Sequence, residues 1–136
     1  MQTITPYLLY EDVAKALDWL AEAFGFTERL RFKDPEGVVN HAEMTLGDAE
    51  VMLGHPGPKY ESPRRTGHVS SLVHVYVGDV DAHYARANAA GAEILAVVED
   101  KPYGDRSYDT ADLEGHRWTF AQHVRDVPPQ EWGATS

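Results

Sequence analysis

The sequence contains no cysteine. This absence excludes disulfide bonds, thiolate catalysis and zinc sites built on cysteine. The sequence also has no apolar run near the roughly 20 residues that a membrane span needs. Its first residues lack the basic stretch and apolar core of a signal peptide. We therefore expect a cytoplasmic protein with no membrane partner.

Positive charge is also scarce, because 12 Lys and Arg residues stand against 22 Asp and Glu residues, for a formal net charge of −10 at pH 7. Such a surface repels phosphate backbones and no basic stripe offsets it, so we expect no nucleic-acid partner. The length of 136 residues and the hydrophobic fraction of 43% suit one domain with its own core. We expect that domain to span residues 1–136.

One pattern is repeated along the chain. A short apolar strand precedes Asp12, and a similar strand precedes Asp79. Both aspartates suit the N-cap of a helix, and Gly25 and Gly91 suit the ends of the two helices. The spacing between the aspartates nearly equals the spacing between the glycines, which indicates an internal repeat. The expected helices cover residues 13–24 and 80–90.

Three strand-like segments follow each expected helix. Each half therefore has the order strand, helix, strand, strand, strand, and its sheet carries a helix on one face only. We expect an α+β fold in which two βαβββ modules in tandem form a curved mixed-sheet cup with helices on the outer face. The expected boundaries are module 1 over about 3–54, a linker over 55–68, module 2 over about 69–124, and a C-terminal arm over 125–136.

Side chains alternate between the two faces of a strand, and here one face is apolar while the other is mixed. The apolar face is expected to lie under the helices. The mixed face carries polar and aromatic side chains and is expected to line a ligand cavity, although a half-exposed sheet can carry such residues simply because water contacts them. The candidate ligand-contacting residues are Tyr7, His41, Glu43, His74, Tyr76, Tyr103, Arg106, Tyr108 and Arg117.

A doubled βαβββ unit resembles the vicinal oxygen chelate superfamily, which includes glyoxalase I, extradiol dioxygenases and bleomycin-binding proteins. Two regions look like its PhnB-like branch. They comprise residues 40–48 with 51–53, and residues 114–124 with 126–131.

The resemblance also bears on metal binding, since enzymatic members hold a divalent metal with one residue from each of four strands. Those positions correspond here to Thr5, Leu72, Thr119 and a position near Val51. None of these side chains is a good ligand for zinc, iron or manganese, so we expect no metal or other cofactor. The alternative is a displaced metal site formed by His41, Glu43 and His74.

Metal-poor relatives sequester aromatic natural products between two subunits. The resemblance therefore implies a metal-free small-molecule binding protein, with antibiotic resistance as its role and a homodimer interface as its cleft. Glu43 is expected to pair with a cationic ligand. The alternative is a metal-dependent lyase, isomerase or dioxygenase-type enzyme with a displaced metal site, and a further possibility is a common metabolite such as a flavin as the ligand.

Overall fold

The structure is a computed structural model that describes residues 1–135. Its elements confirm an α+β chain built from two tandem βαβββ modules. The last residue of the expected C-terminal arm, Ser136, lies outside the described residues. In chain order the elements are β1 (Tyr7–Leu9), α1 (Val13–Phe24), β2 (Thr27–Lys33), β3 (Val39–Leu46), β4 (Ala49–Gly54), α2 (Pro63–Thr66), β5 (Leu72–Tyr76), α3 (Val80–Ala89), β6 (Glu93–Asp100), β7 (Asp105–Ala111), β8 (Arg117–His123) and a 3-10 turn (Pro129–Trp132).

The two modules form two separate four-stranded sheets with the same topology. The first sheet has the strand order β1-β4-β3-β2 and the second has β5-β8-β7-β6. In each sheet the first strand of the module runs parallel to the last, and the other neighbours are antiparallel. This identical order confirms the internal repeat that the sequence predicts.

The helix boundaries follow from their capping residues. The Asp12 carboxylate accepts a hydrogen bond from the backbone N–H of Lys15 at 3.0 Å, and the Asp79 carboxylate caps α3 in the same way. Helix α1 ends at Gly25, whose φ of 79° is the left-handed conformation that favours glycine. Helix α3 ends at Ala89, one residue before the predicted end. No helix among residues 1–135 combines the length and apolar composition needed to cross a membrane.

The hydrophobic core lies between the helices and the adjoining faces of both sheets. Helices α1 and α3 contact each other. Phe24, at the end of α1, packs edge-on against Trp118 and Phe120 of β8, with ring centroids 5.5 and 4.7 Å apart. The two modules of one chain are therefore joined through their helices, and each sheet has its second face on the side away from this core.

Two buried carboxylates, those of Asp112 and Glu114, also join the modules. Asp112 is 0% exposed and accepts hydrogen bonds from the Tyr10 hydroxyl at 2.6 Å and from the Trp118 indole N–H at 3.1 Å. Glu114 accepts from the backbone N–H groups of Glu11 and Asp12, at the start of α1. Burial raises the pKa of the Tyr10 hydroxyl and that of the Glu114 carboxyl.

Candidate functional site

The alternation predicted along the strands is confirmed. On β3, Ala42 and Met44 are completely buried beneath α1, whereas His41 and Glu43 are only partly buried and lie on the opposite face. On β8, Trp118 is buried beneath the helices, and the flanking Arg117 is exposed on the opposite side. Each sheet therefore has a helix-covered face and an open face.

Open face A is the face of the first sheet opposite α1. The pairing register places the contributing residues on one side, since directly paired residues share a face. Its aromatic side chains are substantially exposed, Phe32 at 60% and Tyr7 at 50%. The residues of open face A are Tyr7, Leu9, Leu30, Phe32, His41, Glu43, Glu50 and Met52.

A chain of hydrogen bonds crosses open face A. The Tyr7 hydroxyl lies 2.7 Å from His41 Nδ1, and His41 Nε2 lies 2.9 Å from a carboxylate oxygen of Glu43. The other Glu43 oxygen accepts from the Arg29 guanidinium, which also approaches Glu50 at 3.5 Å. The bond from His41, together with the Arg29 cation, lowers the pKa of Glu43. Glu43 is therefore a carboxylate at neutral pH.

Glycine at position 54 permits this arrangement. Tyr7 lies on β1 and His41 on β3, with β4 between them, so the tyrosine ring must cross β4. It does so over Gly54, where a Cβ atom would sit 2.6 Å from Tyr7 Cε1. That separation is far below a normal contact, so a larger residue at position 54 would displace the ring.

Open face B is the face of the second sheet opposite α3. Its residues are Leu72, His74, Tyr76, Leu95, Asp109, Arg117 and Thr119. Part of this face forms a cleft of about 330 Å³ that also includes Val69 and the following serines. Inside it the Thr119 hydroxyl donates to Asp109 at 2.7 Å. Arg117 makes no hydrogen bond or ion pair with another side chain of residues 1–135, so its guanidinium is available to a ligand.

Two predicted aromatic contacts lie toward the C-terminal end of open face B. Tyr76 is 61% exposed, and its hydroxyl donates to the buried Asp105 carboxylate at 2.8 Å. Tyr103, in the loop before β7, packs edge-on against Trp132 with ring centroids 5.6 Å apart. The C-terminal arm therefore contributes an aromatic ring beside this edge of the face.

Two predicted ligand contacts lie on the wrong face, and these predictions are corrected. Tyr108 is 1% exposed in the core, where it stacks on Phe120 and bonds to His83 at 2.6 Å. Arg106 pairs with Asp81 of α3, also on the helix-covered side. The register of β7 against β8 places the odd-numbered residues on the open face, so Asp109 is the contact that sequence reasoning missed. Side chains alternate between the two faces along β7, so the burial of Tyr108 places the next residue, Asp109, on the open face.

The metal positions implied by the family also need one correction. Val51 is buried beneath α1, because it pairs with Met44 on the helix-covered side. The open-face position of β4 is Met52, which pairs with Tyr7 just as Thr119 pairs with His74 in the second sheet. The four positions are then Thr5, Met52, Leu72 and Thr119. This set offers no carboxylate or imidazole and does not fit a catalytic divalent metal.

The displaced metal site is not assembled within the chain. His41 and Glu43 lie on the first sheet, and His74 lies on the second. No group of three or more His, Asp or Glu side chains among the described residues is placed to hold a metal ion. The geometry does not favour the predicted pairing of Glu43 with a cationic ligand, since both carboxylate oxygens are already bonded within the chain and the side chain is only 12% exposed.

The chain matches a known protein family over most of its length. The Glyoxalase/Bleomycin resistance protein/Dioxygenase superfamily matches residues 3–120. The chain belongs to this superfamily.

Individual relatives are similar over nearly the whole chain. An uncharacterised protein of Mycobacterium bovis is 35% identical over 133 residues, which cover 94% of this chain and 88% of the relative. The crystal structure of TioX from Micromonospora sp. ML1 is 38% identical with a TM-score of 0.73, and the match covers 93% of this chain and 100% of TioX. A PhnB protein from Bacillus cereus, 18% identical with a TM-score of 0.65 over 89% of this chain and 99% of its own, shows the shared fold.

Proposed function

We propose that this protein binds a small aromatic molecule, without a metal, in a cleft between two copies of the chain. The observation that carries the proposal is the pair of open faces. Each presents large apolar side chains that the described residues leave exposed, including Phe32 at 60%, Leu72 at 57% and Tyr76 at 61%. Large apolar side chains left exposed on the open face of a sheet indicate an interaction site.

The number of open faces favours a homodimer. Each chain has one open face A and one open face B, and the helices hold both faces away from each other within that chain. A two-fold dimer that sets face A of one copy against face B of the other covers all four faces at once. Such an interface closes on itself, as isologous dimers do, and it creates two equivalent clefts.

The chemistry of the two faces suits an aromatic ligand. Phe32, Tyr7 and Tyr76 offer rings for stacking, and these rings lose little conformational freedom when a ligand binds. The hydrogen-bonded groups around His41 and the free guanidinium of Arg117 supply the few polar contacts that orient a ligand in an otherwise apolar site.

Sequestration of a toxic aromatic natural product is the role we propose for this binding. The superfamily includes both enzymes and bleomycin-resistance proteins. Thr5, Met52, Leu72 and Thr119 offer no strong ligand to a catalytic metal. Their side chains therefore favour a ligand-binding role over that of a metal-dependent enzyme. We also place the chain in the PhnB-like branch, on the residues from 40 to 53 and from 114 to 131.

The proposal is tested with purified protein and a set of planar aromatic natural products. Native mass spectrometry measures the oligomeric state and the number of ligands bound, and liquid chromatography measures whether the ligand is recovered unchanged. We expect a dimer that binds two ligands saturably and releases them intact. A monomer that binds one ligand, or conversion of the ligand to a product, would contradict the proposal.

A further inference from the structure

The hydrogen-bond chain on open face A has a fixed direction. Glu43 is ionised and can only accept, so His41 Nε2 must carry the hydrogen of the 2.9 Å bond. In a neutral imidazole the other nitrogen then has no hydrogen. When His41 carries this single hydrogen, its Nδ1 accepts, and the Tyr7 hydroxyl donates its only hydrogen across the 2.7 Å bond.

This direction decides what Tyr7 can offer a ligand. The phenol hydrogen is committed to His41, so the Tyr7 oxygen presents its lone pairs to the open face. A ligand carbonyl or ether would find no hydrogen there. A ligand O–H can donate to the Tyr7 oxygen, which is the first member of a hydrogen-bond chain that runs through His41 to the Glu43 carboxylate. Hydrogen bonds in such chains strengthen one another.

We propose that this array selects aromatic ligands that carry a weakly acidic hydroxyl, such as a phenol or an enol. The inference rests on the proposed aromatic cleft and names the ligand class that the cleft prefers. A more acidic donor makes a stronger bond to Tyr7. A neutral hydroxyl also avoids the long-range repulsion that a carboxylate would meet from a protein of net charge −10.

Arg29 belongs to this hydrogen-bond chain, because its guanidinium donates to the second oxygen of Glu43. After the hydrogen bond from His41, the Arg29 guanidinium further lowers the pKa of Glu43, and it leaves the other Glu43 oxygen to face His41. In a Glu43→Gln protein, the amide oxygen would remain toward Arg29 and the NH₂ group would face His41. The imidazole would then accept at Nε2 and donate at Nδ1, and the Tyr7 hydrogen would be released toward the ligand.

The test compares 4-cyanophenol with its methyl ether, 4-methoxybenzonitrile, at neutral pH by isothermal titration. We expect the natural protein to bind the phenol about 3- to 10-fold more tightly than the ether, as one hydrogen bond allows. Tyr7→Phe and Glu43→Gln should each bring this ratio close to one, while the ether still binds. Tyr84→Phe, which removes a tyrosine hydroxyl from α3 on the helix-covered side, should preserve the ratio.

The outcomes separate this inference from the proposed function. Equal affinity for the two probes in the natural protein, or an unchanged ratio in Tyr7→Phe, would overturn the hydroxyl selection and leave the aromatic cleft standing. A Glu43→Gln protein that keeps the full preference would overturn the assigned direction of the chain. Failure of both probes to bind would overturn the aromatic cleft together with the inference.

Discussion

Replacement of Asp112 by asparagine tests how the two modules are held together. The Asp112 carboxylate is fully buried and accepts four hydrogen bonds. One oxygen accepts from Tyr10 and Trp118, and the other accepts from the backbone N–H groups of Glu114 and His116 at 3.0 Å. An asparagine has one acceptor oxygen. If its NH₂ group faces Tyr10 and Trp118, the Tyr10 hydroxyl can turn to accept from it, but the Trp118 indole N–H loses its acceptor.

The expected loss follows from this count of bonds. One hydrogen bond to a charged group, worth about 1.5–3 kcal/mol, disappears, and the other three become weaker bonds to a neutral amide. Asp112→Asn should therefore lower the free energy of unfolding by about 3–6 kcal/mol in total. A loss of this size is a large fraction of the roughly 5–15 kcal/mol that stabilises a typical domain. Tyr10→Phe removes one of the four hydrogen bonds and leaves the carboxylate its other partners, so by the same measure it should cost about 1.5–3 kcal/mol.

The assay is urea denaturation at pH 7, followed by tryptophan fluorescence and circular dichroism. Asp126→Asn is the matched control, because its side chain is fully exposed, and we expect a change within about 0.5 kcal/mol. An Asp112→Asn protein whose free energy of unfolding stays within about 1 kcal/mol of the natural value would refute this account of the junction.

Three further predictions concern pH and the site. Burial lowers the pKa of His83 in the folded protein. The stability that neutral His83 contributes should therefore be complete above its ordinary pKa of 6.5 and be lost as pH falls through the lowered pKa of the folded state. His83→Gln should reduce this dependence of the free energy of unfolding on pH, as measured by urea denaturation at a series of pH values. The Asp126 and Asp105 carboxylates raise the pKa of the half-exposed His123. The small contribution of this ion pair to stability should be complete below pH 6.5 and be lost as pH rises through the raised pKa. NMR titration of the His123 imidazole measures the raised pKa directly. Gly54→Ala should displace the Tyr7 ring and weaken phenol binding about as much as Tyr7→Phe does. An unchanged affinity for 4-cyanophenol in isothermal titration would contradict this prediction.

The elements of this fold are predictable because their signals are local. Asp12 and Asp79 mark helix starts through a short-range capping bond, and Gly25 ends a helix through its own backbone freedom. The apolar alternation along β3 likewise places Ala42 and Met44 in the core. Each of these signals lies within a few residues of the feature that it predicts.

The errors concern relations between distant residues. Residue type alone assigns Arg106 and Tyr108 to the cavity, but the register of β7 against β8 decides which face they occupy. The fourth metal position of the family, expected near Val51, falls on Met52, and a shift of one residue moves a side chain to the opposite face of a strand. The contact of Tyr10 with Asp112 joins residues more than 100 positions apart, and no local pattern predicts it.

The most direct test of the shared cleft uses two defective proteins. In a dimer, each cleft takes face A from one copy and face B from the other. A mixed dimer of Tyr7→Ala and Tyr76→Ala chains therefore has one cleft with both changes and one cleft with neither. We predict that each variant alone binds the aromatic ligand weakly, and that unfolding and refolding them together restores natural affinity at one site per mixed dimer. Mixed dimers in which no site regains natural affinity would contradict a cleft shared between two copies.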